Sequence, residues 1–274
     1  MAKSKATSNK KVSKKERLKI LVCNDDSVHA PALQVLSREL KKLGDVYVVA
    51  PLEEKSTTGH SLTLHKPLRI LELANGFFGV SGSPADCIYV AIQQILKMKP
   101  DLVVSGINRG ANLGQDVYYS GTVSAAREAV ILGIPALAVS TVVDFKSRKP
   151  DSTIHFETAA KIVSDVLKIV PLNLLPKQTL LNVNVPDLPY RELKGFEITH
   201  QGFRHYNGAV VKRMDHRGKP YYWVGGQYKG FKNIEGSDCY AVDQKRVSIT
   251  PVQLDCTDYS FIDDLNLIFG VAGA

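Results

Sequence analysis

The chain has 274 residues, 44% hydrophobic and 23% charged, the composition of an ordinary globular protein with enough apolar area for one large α/β domain. Its formal charge of +8 sits at one end: residues 1–19 hold eight Lys/Arg against the single acid Glu16, and the remainder is nearly neutral. That distribution argues against a globally basic nucleic-acid-binding surface; no apolar run approaches the ~20 residues of a membrane span, and no apolar run of a secretory leader follows the basic stretch.

Residues 1–17 are Lys/Ser-rich with almost no apolar content, and the expectation is a disordered basic tail over residues 1–18 before a folded domain over 19–274. Ile20 to Cys23 reads as a short strand ending in Asn24-Asp25-Asp26. Ala32, Leu33, Leu36 and Leu40 recur at the spacing of one helix face, and Gly44 closes that helix. Asp45–Pro51 is the next strand, followed by a polar loop from Leu52 to Gly59 and a run with β character from Ser61 to Leu73. Phe77–Val80 is a further short strand. Ser83 as N-cap, Pro84 at the first helical position and Asp86 as reciprocal cap predict a helix to about Lys97.

Asp101 to Gly106 is a strand, and a Gly/Asn-rich loop over 106–121 leads into a helix from Thr122 to Leu132. Strands at Ala136–Ser140 and Leu180–Val185 bracket a helix over His155–Val170. Residues 196–232 are rich in Gly, Tyr and Trp, and a turn at His216-Arg217-Gly218 between Ala209–Met214 and Tyr221–Val224 marks a projecting β-hairpin. A strand at Arg246–Thr250 and an amphipathic helix at Asp258–Phe269 complete the chain. Strands alternating with helices, and near-continuous apolar strands, predict an α/β, Rossmann-like three-layer domain with a mainly parallel sheet. Cys23, Cys87, Cys239 and Cys256 form no CxxC pair and read as free thiols in a reducing cytoplasm.

In an open parallel sheet, ligands bind beyond the carboxyl ends of the strands. Four segments reach that rim: Asn24-Asp25-Asp26-Ser27, the loop from Ser56 to His60, Gly106 to Gly110, and Tyr119-Ser120-Gly121-Thr122 just before a helix. The set is mostly oxygen donors, which suits Mg²⁺, Mn²⁺ or Ca²⁺ better than zinc. Paired aspartates after a strand also serve simply as helix caps. Ser120-Gly121-Thr122 has the make-up of a phosphate cradle, with glycine permitting close approach and a helix aiming free N–H groups at the anion; a plain Ser/Thr cap has the same sequence. His29 and His60 are either acid–base groups or structural histidines, Arg109 either an anion contact or a solvated side chain, and Tyr221, Tyr222 and Trp223 either stack on a base or pack at a subunit contact.

These residues carry a resemblance. Asn24-Asp25-Asp26 followed by Ala30-Pro31 resembles the opening signature of the SurE family, the stationary-phase survival proteins. It continues through Gly59-His60-Ser61-Leu62-Thr63 and Ser83-Pro84-Ala85-Asp86-Cys87, and is densest from Pro100 to Asn112. Tyr119 to Glu128, Asn182 to Pro186, Asp215 to Gly218 and Ser248 to Pro251 extend it, in order, over roughly residues 20–257. The resemblance implies a metal-dependent nucleoside monophosphate phosphohydrolase. One divalent ion per subunit, Mg²⁺ or Mn²⁺, would be held by Asp25, Asp26, Ser56 and Asn108, with phosphate bound by Ser120, Gly121 and Thr122. Asp25 and Asn108 would be catalytic, Asp25 as base or nucleophile and Asn108 stabilising phosphoryl charge. It also implies a hairpin extension (about 196–232) and a C-terminal segment (about 233–274) exchanged between protomers of a homodimer or homotetramer.

The sequence departs from the family pattern at Ser27 and Ala32, where glycine is usual. If position 27 requires a positive φ, serine costs about 1 kcal/mol or somewhat more. The leading expectation is hydrolysis of nucleoside 5′- or 3′-monophosphates. The alternatives are a nucleotide-binding or sensing protein with weak hydrolysis, motivated by Ser27, and a short-chain exopolyphosphatase. Nucleic-acid contacts are expected from the tail alone, weak and salt-sensitive.

Overall fold

The computed structural model describes residues 17–143 and 149–270. The expected disordered tail falls outside these residues over positions 1–16. Leu18 already belongs to the first strand, and Arg17 donates to the Lys41 and Gly44 carbonyls at 3.0 Å.

The first half of the chain supplies β1 (Leu18–Cys23), α1 (Pro31–Leu40), β2 (Gly44–Pro51), β3 (Ile70–Glu72), β4 (Phe78–Val80), α2 (Pro84–Val90), β5 (Leu102–Arg109) and α3 (Gly121–Ile131). After it come β6 (Ala136–Val142), α4 (Phe156–Ile169), β7 (Thr179–Pro186) and β8 (Phe196–Ile198). The chain then forms the hairpin of β9 (Arg204–Met214) and β10 (Pro220–Phe231), followed by α5 (Asp238–Asp243), β11 (Val247–Gln253) and α6 (Tyr259–Phe269). Among the described residues these make a nine-stranded sheet in the order β3-β4-β2-β1-β5-β6-β7-β11-β8 and a separate two-stranded ribbon. The strands from β4 through β7 are parallel; β3 pairs antiparallel with β4, and β11 antiparallel with β7.

The apolar β1 run is explained by burial on both faces. Ile20 and Val22 pack with Leu33, Leu36, Leu40 and Ile162 under α1 and α4, whereas Leu21 and Cys23 pack with Ile88, Val123 and Ala126 under α2 and α3. The expected three layers follow from this alternation. The capping box at α2 forms as read: the Ser83 hydroxyl accepts from the Asp86 N–H at 3.1 Å, and the Asp86 carboxylate accepts from the Ser83 N–H at 2.8 Å. The helix continues to Leu96 through one π-helical segment, Ala91–Leu96.

Several boundaries differ from expectation. Of the run Ser61–Leu73, only Ile70–Glu72 is strand, because its first residues bond to side chains instead of a ladder. The Thr63 N–H and hydroxyl both donate to Asp86, and the Ser83 hydroxyl donates to the Ser61 carbonyl. Asp86 is therefore a tie between two segments as well as a cap. β5 runs on to Arg109: pairing with β6 is interrupted after Ser105 and resumes at Asn108 opposite Ser140, so Asn108 stands on a strand and not in the following loop. The hairpin strands are longer than read. β8 and α5 are too short for any periodicity to announce them. Cys23, Cys87 and Cys239 are buried free thiols; Cys256 is exposed.

Candidate active site

The sheet order reverses beside β1: the chain goes to β2 on one side and returns to β5 on the other. Carboxyl-end loops diverge at such a point and leave a crevice. Here the crevice is an open cleft of about 1090 Å³. Asp25, Asp26, Ser56, Asn108 and Ser120 all line it, so residues spread over nearly a hundred positions converge as the strand-end argument required. Gly121 and Thr122 lie behind Asp25 instead of on the cleft surface.

Asp25 stands just beyond the end of β1, after Asn24, and is only 4% exposed. The fully buried Thr122 donates its hydroxyl to Asp25 Oδ1 at 2.5 Å. Gly121 has an ordinary φ, so backbone conformation does not require glycine there. Contact does: a Cβ at this position would lie 2.7 Å from Asp25 Cβ and 2.8 Å from Asp25 Oδ2. The first turn of α3 is thus fitted around the Asp25 carboxylate. Ser120 caps that turn by accepting from the Val123 N–H at 3.0 Å.

Asp26 accepts from the Arg109 N–H at 3.2 Å, which ties the end of β1 to the end of β5. Asn108 donates its amide to the Gly110 carbonyl at 2.9 Å, leaving its side-chain oxygen as the free end. The loop after β2 is fastened at three points. Lys55 N–H donates to the Asp25 carbonyl at 2.8 Å, Gly59 N–H to the Tyr119 carbonyl at 3.1 Å, and His60 meets the buried Glu128 of α3 at 2.8 Å. Ser56 rides on this loop, its hydroxyl donating to Glu54 at 2.6 Å. His60 is therefore a loop anchor, and Glu54 is a cleft carboxylate that the sequence reading passed over.

Burial pushes the Asp25 carboxyl up from its usual range, against the downward pull of its Thr122 bonds. Burial, with the Asp25 charge next to it, pushes Asp26 to about 7. Among the described residues neither group forms an ion pair, the nearby cations Lys55 and Arg109 pairing with Glu53 and Asp151 instead. A buried and a half-buried carboxylate side by side without an ion-pair partner form a site that a cation would stabilise. Among the described residues no three His, Cys, Asp or Glu side chains converge as ligands, so a cation here would be completed by neutral oxygens from Ser56 and Asn108. That donor set fits a hard divalent ion.

Ser27 has φ +89°, the left-handed region in which its Cβ is strained. Its hydroxyl accepts from the His29 N–H at 3.3 Å, and Ser27 does not line the cleft. Ala32 does, at the start of α1. Residues missing from the sequence reading form the opposite wall: Gln115, Asp116, Arg204, Tyr206 and Tyr228. Nothing local marks them, because β9 and β10 reach the cleft only through the fold.

The family model for the survival protein SurE matches residues 20–208. The chain is 49% identical over 241 residues to a protein named 5′-nucleotidase SurE from Pelobacter propionicus, spanning 88% of this chain and 95% of that one. It is 47% identical over 249 residues to a protein of the same name from Legionella pneumophila strain Lens, spanning 91% and 96%. The crystal structure of the SurE protein from Aquifex aeolicus is similar, with a TM-score of 0.77 at 43% identity over 91% of this chain and 99% of that chain.

Proposed function

Because the chain belongs to the SurE survival-protein family, we propose that it is a divalent-metal-dependent phosphohydrolase of nucleoside 5′- or 3′-monophosphates. The observation that carries this reading is the Asp25–Asp26 pair, one buried and one half-buried carboxylate side by side and in no ion pair among the described residues, in a cleft that Ser120 at the N-terminus of α3 also lines. Asp25, Asp26, Ser56 and Asn108 would hold Mg²⁺ or Mn²⁺, which when bound supplies Lewis-acid polarisation of the phosphoryl oxygens.

The chain's own groups account for the rest. Ser120, which lines the cleft at the N-terminus of α3, would donate its hydroxyl to the phosphate while its oxygen accepts from the Val123 N–H; the Thr122 N–H of the same turn is taken by Asp25. Asn108, one of whose amide hydrogens is held by the Gly110 carbonyl, would turn its side-chain oxygen to the metal and offer its second amide hydrogen to the phosphoryl group. Asp25 is held in one orientation by Thr122 and Gly121, as a group serving as base or nucleophile must be. The role of Thr122 is then to position Asp25, while Ser120 is the hydroxyl that meets phosphate. The motive for a binding-only protein weakens, since the Ser27 hydroxyl turns to His29.

Assembly follows the same logic. α6 buries none of its residues within the chain although Leu267, Ile268 and Phe269 are apolar, and Trp223 and Val224 stand exposed on the hairpin. Such faces support burial against a second copy as a homodimer or homotetramer. Among the described residues no helix is long and apolar enough to cross a membrane, and three buried free thiols accord with a reducing cytoplasm.

The test is phosphate release from adenosine 5′-monophosphate with Mg²⁺ or Mn²⁺, then with excess EDTA, then after the ion is restored. Activity is expected to vanish and return, and Asp25→Asn to be inactive throughout. Full turnover in excess EDTA overturns the reading.

A further inference from the structure

The cleft is larger than a phosphate and an ion require, and its far wall takes no part in the chemistry described above. Asp116, Tyr119, Arg204, Tyr206 and Tyr228 line that wall. The Arg204 side chain is 6% exposed and places Nη1 2.5 Å from Asp116 Oδ2. Tyr206 donates its hydroxyl to the same oxygen at 2.5 Å. Gln115 clamps the Arg204 backbone on both sides, donating to its carbonyl at 2.6 Å and accepting from its N–H at 2.9 Å. The guanidinium lies 4.4 Å from the centroid of the Tyr228 ring and 5.4 Å from that of Tyr206.

Three properties follow. The wall is close to neutral, because the one buried cation is matched by one carboxylate. It is ordered before any ligand arrives, since charge-assisted bonds and the Gln115 clamp fix the root of the hairpin. It still offers aromatic surface: Tyr206 is 43% and Tyr228 36% exposed. Asp116 Oδ1 accepts no hydrogen bond among the described residues, while Oδ2 takes both Arg204 and Tyr206.

A charged end and a neutral aromatic end in one cleft match a ligand with the same division. We infer that this wall is the nucleoside subsite, Tyr228 and Tyr206 forming the platform for the base and Asp116 Oδ1 accepting ribose hydroxyls. The inference rests on the nucleoside monophosphate reading and names what recognises the part of the substrate that does not react. Stacking is tolerant of base identity, so this wall selects nucleotides over simple phosphate esters more than one base over another. A carboxylate that accepts the ribose hydroxyls makes the wall selective for the sugar.

The test uses the full chain with Mn²⁺ and compares kcat/KM for adenosine 5′-monophosphate with that for glycerol 3-phosphate. Tyr228→Leu is expected to lower this ratio about tenfold or more, the worth of one stacked base, and Tyr228→Phe to retain it. An unchanged ratio in Tyr228→Leu overturns the inference. Wild-type turnover of the 2′,3′-dideoxy analogue is expected to be about tenfold or more less efficient, the effect of losing hydrogen bonds to a charged group. Equal turnover of the two sugars overturns the role of Asp116. If no substrate is hydrolysed, calorimetric binding of adenosine 5′-monophosphate separates the two claims. Weaker binding by Tyr228→Leu sustains the subsite while the hydrolase reading falls. Equal binding, or none by either protein, overturns the subsite as well.

Discussion

Gly121→Ala sets helix propensity against packing at one atom. In the first turn of a helix alanine is preferred to glycine by about 0.5–1 kcal/mol, and Gly121 has an ordinary φ that alanine can adopt. Local rules therefore predict a stabilised protein. The tertiary structure predicts the reverse. The new Cβ would lie 2.7 Å from Asp25 Cβ and 2.8 Å from Asp25 Oδ2, against 3.4 Å for ordinary contact. Asp25 follows a strand buried on both faces and has little room to retreat. Overpacking of this kind costs about 1–3 kcal/mol. If the carboxylate rotates to escape, the Thr122 bond goes too, at about 1.5–3 kcal/mol for a bond to a charged group. Offset by the propensity gain, the net expectation is a loss of about 2–4 kcal/mol. Displacing Asp25 by a large fraction of an ångström should also lower kcat by about a hundredfold. Urea unfolding and a Mn²⁺ activation curve measure the two effects. A Gly121→Ala protein as stable as wild type, with unchanged metal activation, would refute the contact argument.

Three further outcomes are expected. Burial, with Asp25 beside it, pushes the Asp26 carboxyl of the metal-free folded protein up from the ordinary 3.8 to about 7, so folding favours its protonated form. Stability of the metal-free protein should therefore fall as pH rises from about 4 to about 7, by roughly 4 kcal/mol at most from this group, and saturating Mg²⁺ should oppose the fall. A flat metal-free profile across that range would contradict it. Ser27→Gly should raise stability by about 1 kcal/mol, because φ +89° is strained for serine and only the 3.3 Å bond from His29 is lost; urea unfolding decides the sign. His60→Ala leaves buried Glu128 without its partner and should destabilise by about 1–3 kcal/mol while weakening Mn²⁺ activation through the Ser56 loop. Normal activation in a stable His60→Ala protein would remove His60 as the loop's anchor.

Much of the site was legible because strand ends and caps are local. Asp25 and Asp26 could be placed at the rim from the apolar run before them, and Ser120 at a helix start from the residues after it. Other features were out of reach. The run after Ser61 has strand-like composition, but its polar backbone groups find Asp86 and Ser83, a competition that no window on the sequence contains. Asn108 lies on a strand because β6 resumes pairing with β5 beyond an irregularity, a decision made by the neighbour.

By itself the sequence determined the alternation of buried strands and helices, the cap at Ser83, the near-neutral body with a basic end, and the motif residues that mark the family. All of these depend on patterns within a few turns of chain. Only the tertiary structure decided that Gly121 answers to Asp25 and not to a backbone angle, that Asp26 is pushed to about 7, and that Arg204 and Tyr228 form the far wall of the cleft. The physical reason is range. Hydrophobic periodicity and capping act between neighbours in the chain, whereas desolvation, close contact and charge pairing act between neighbours in space, and the crossings of the sheet choose those neighbours.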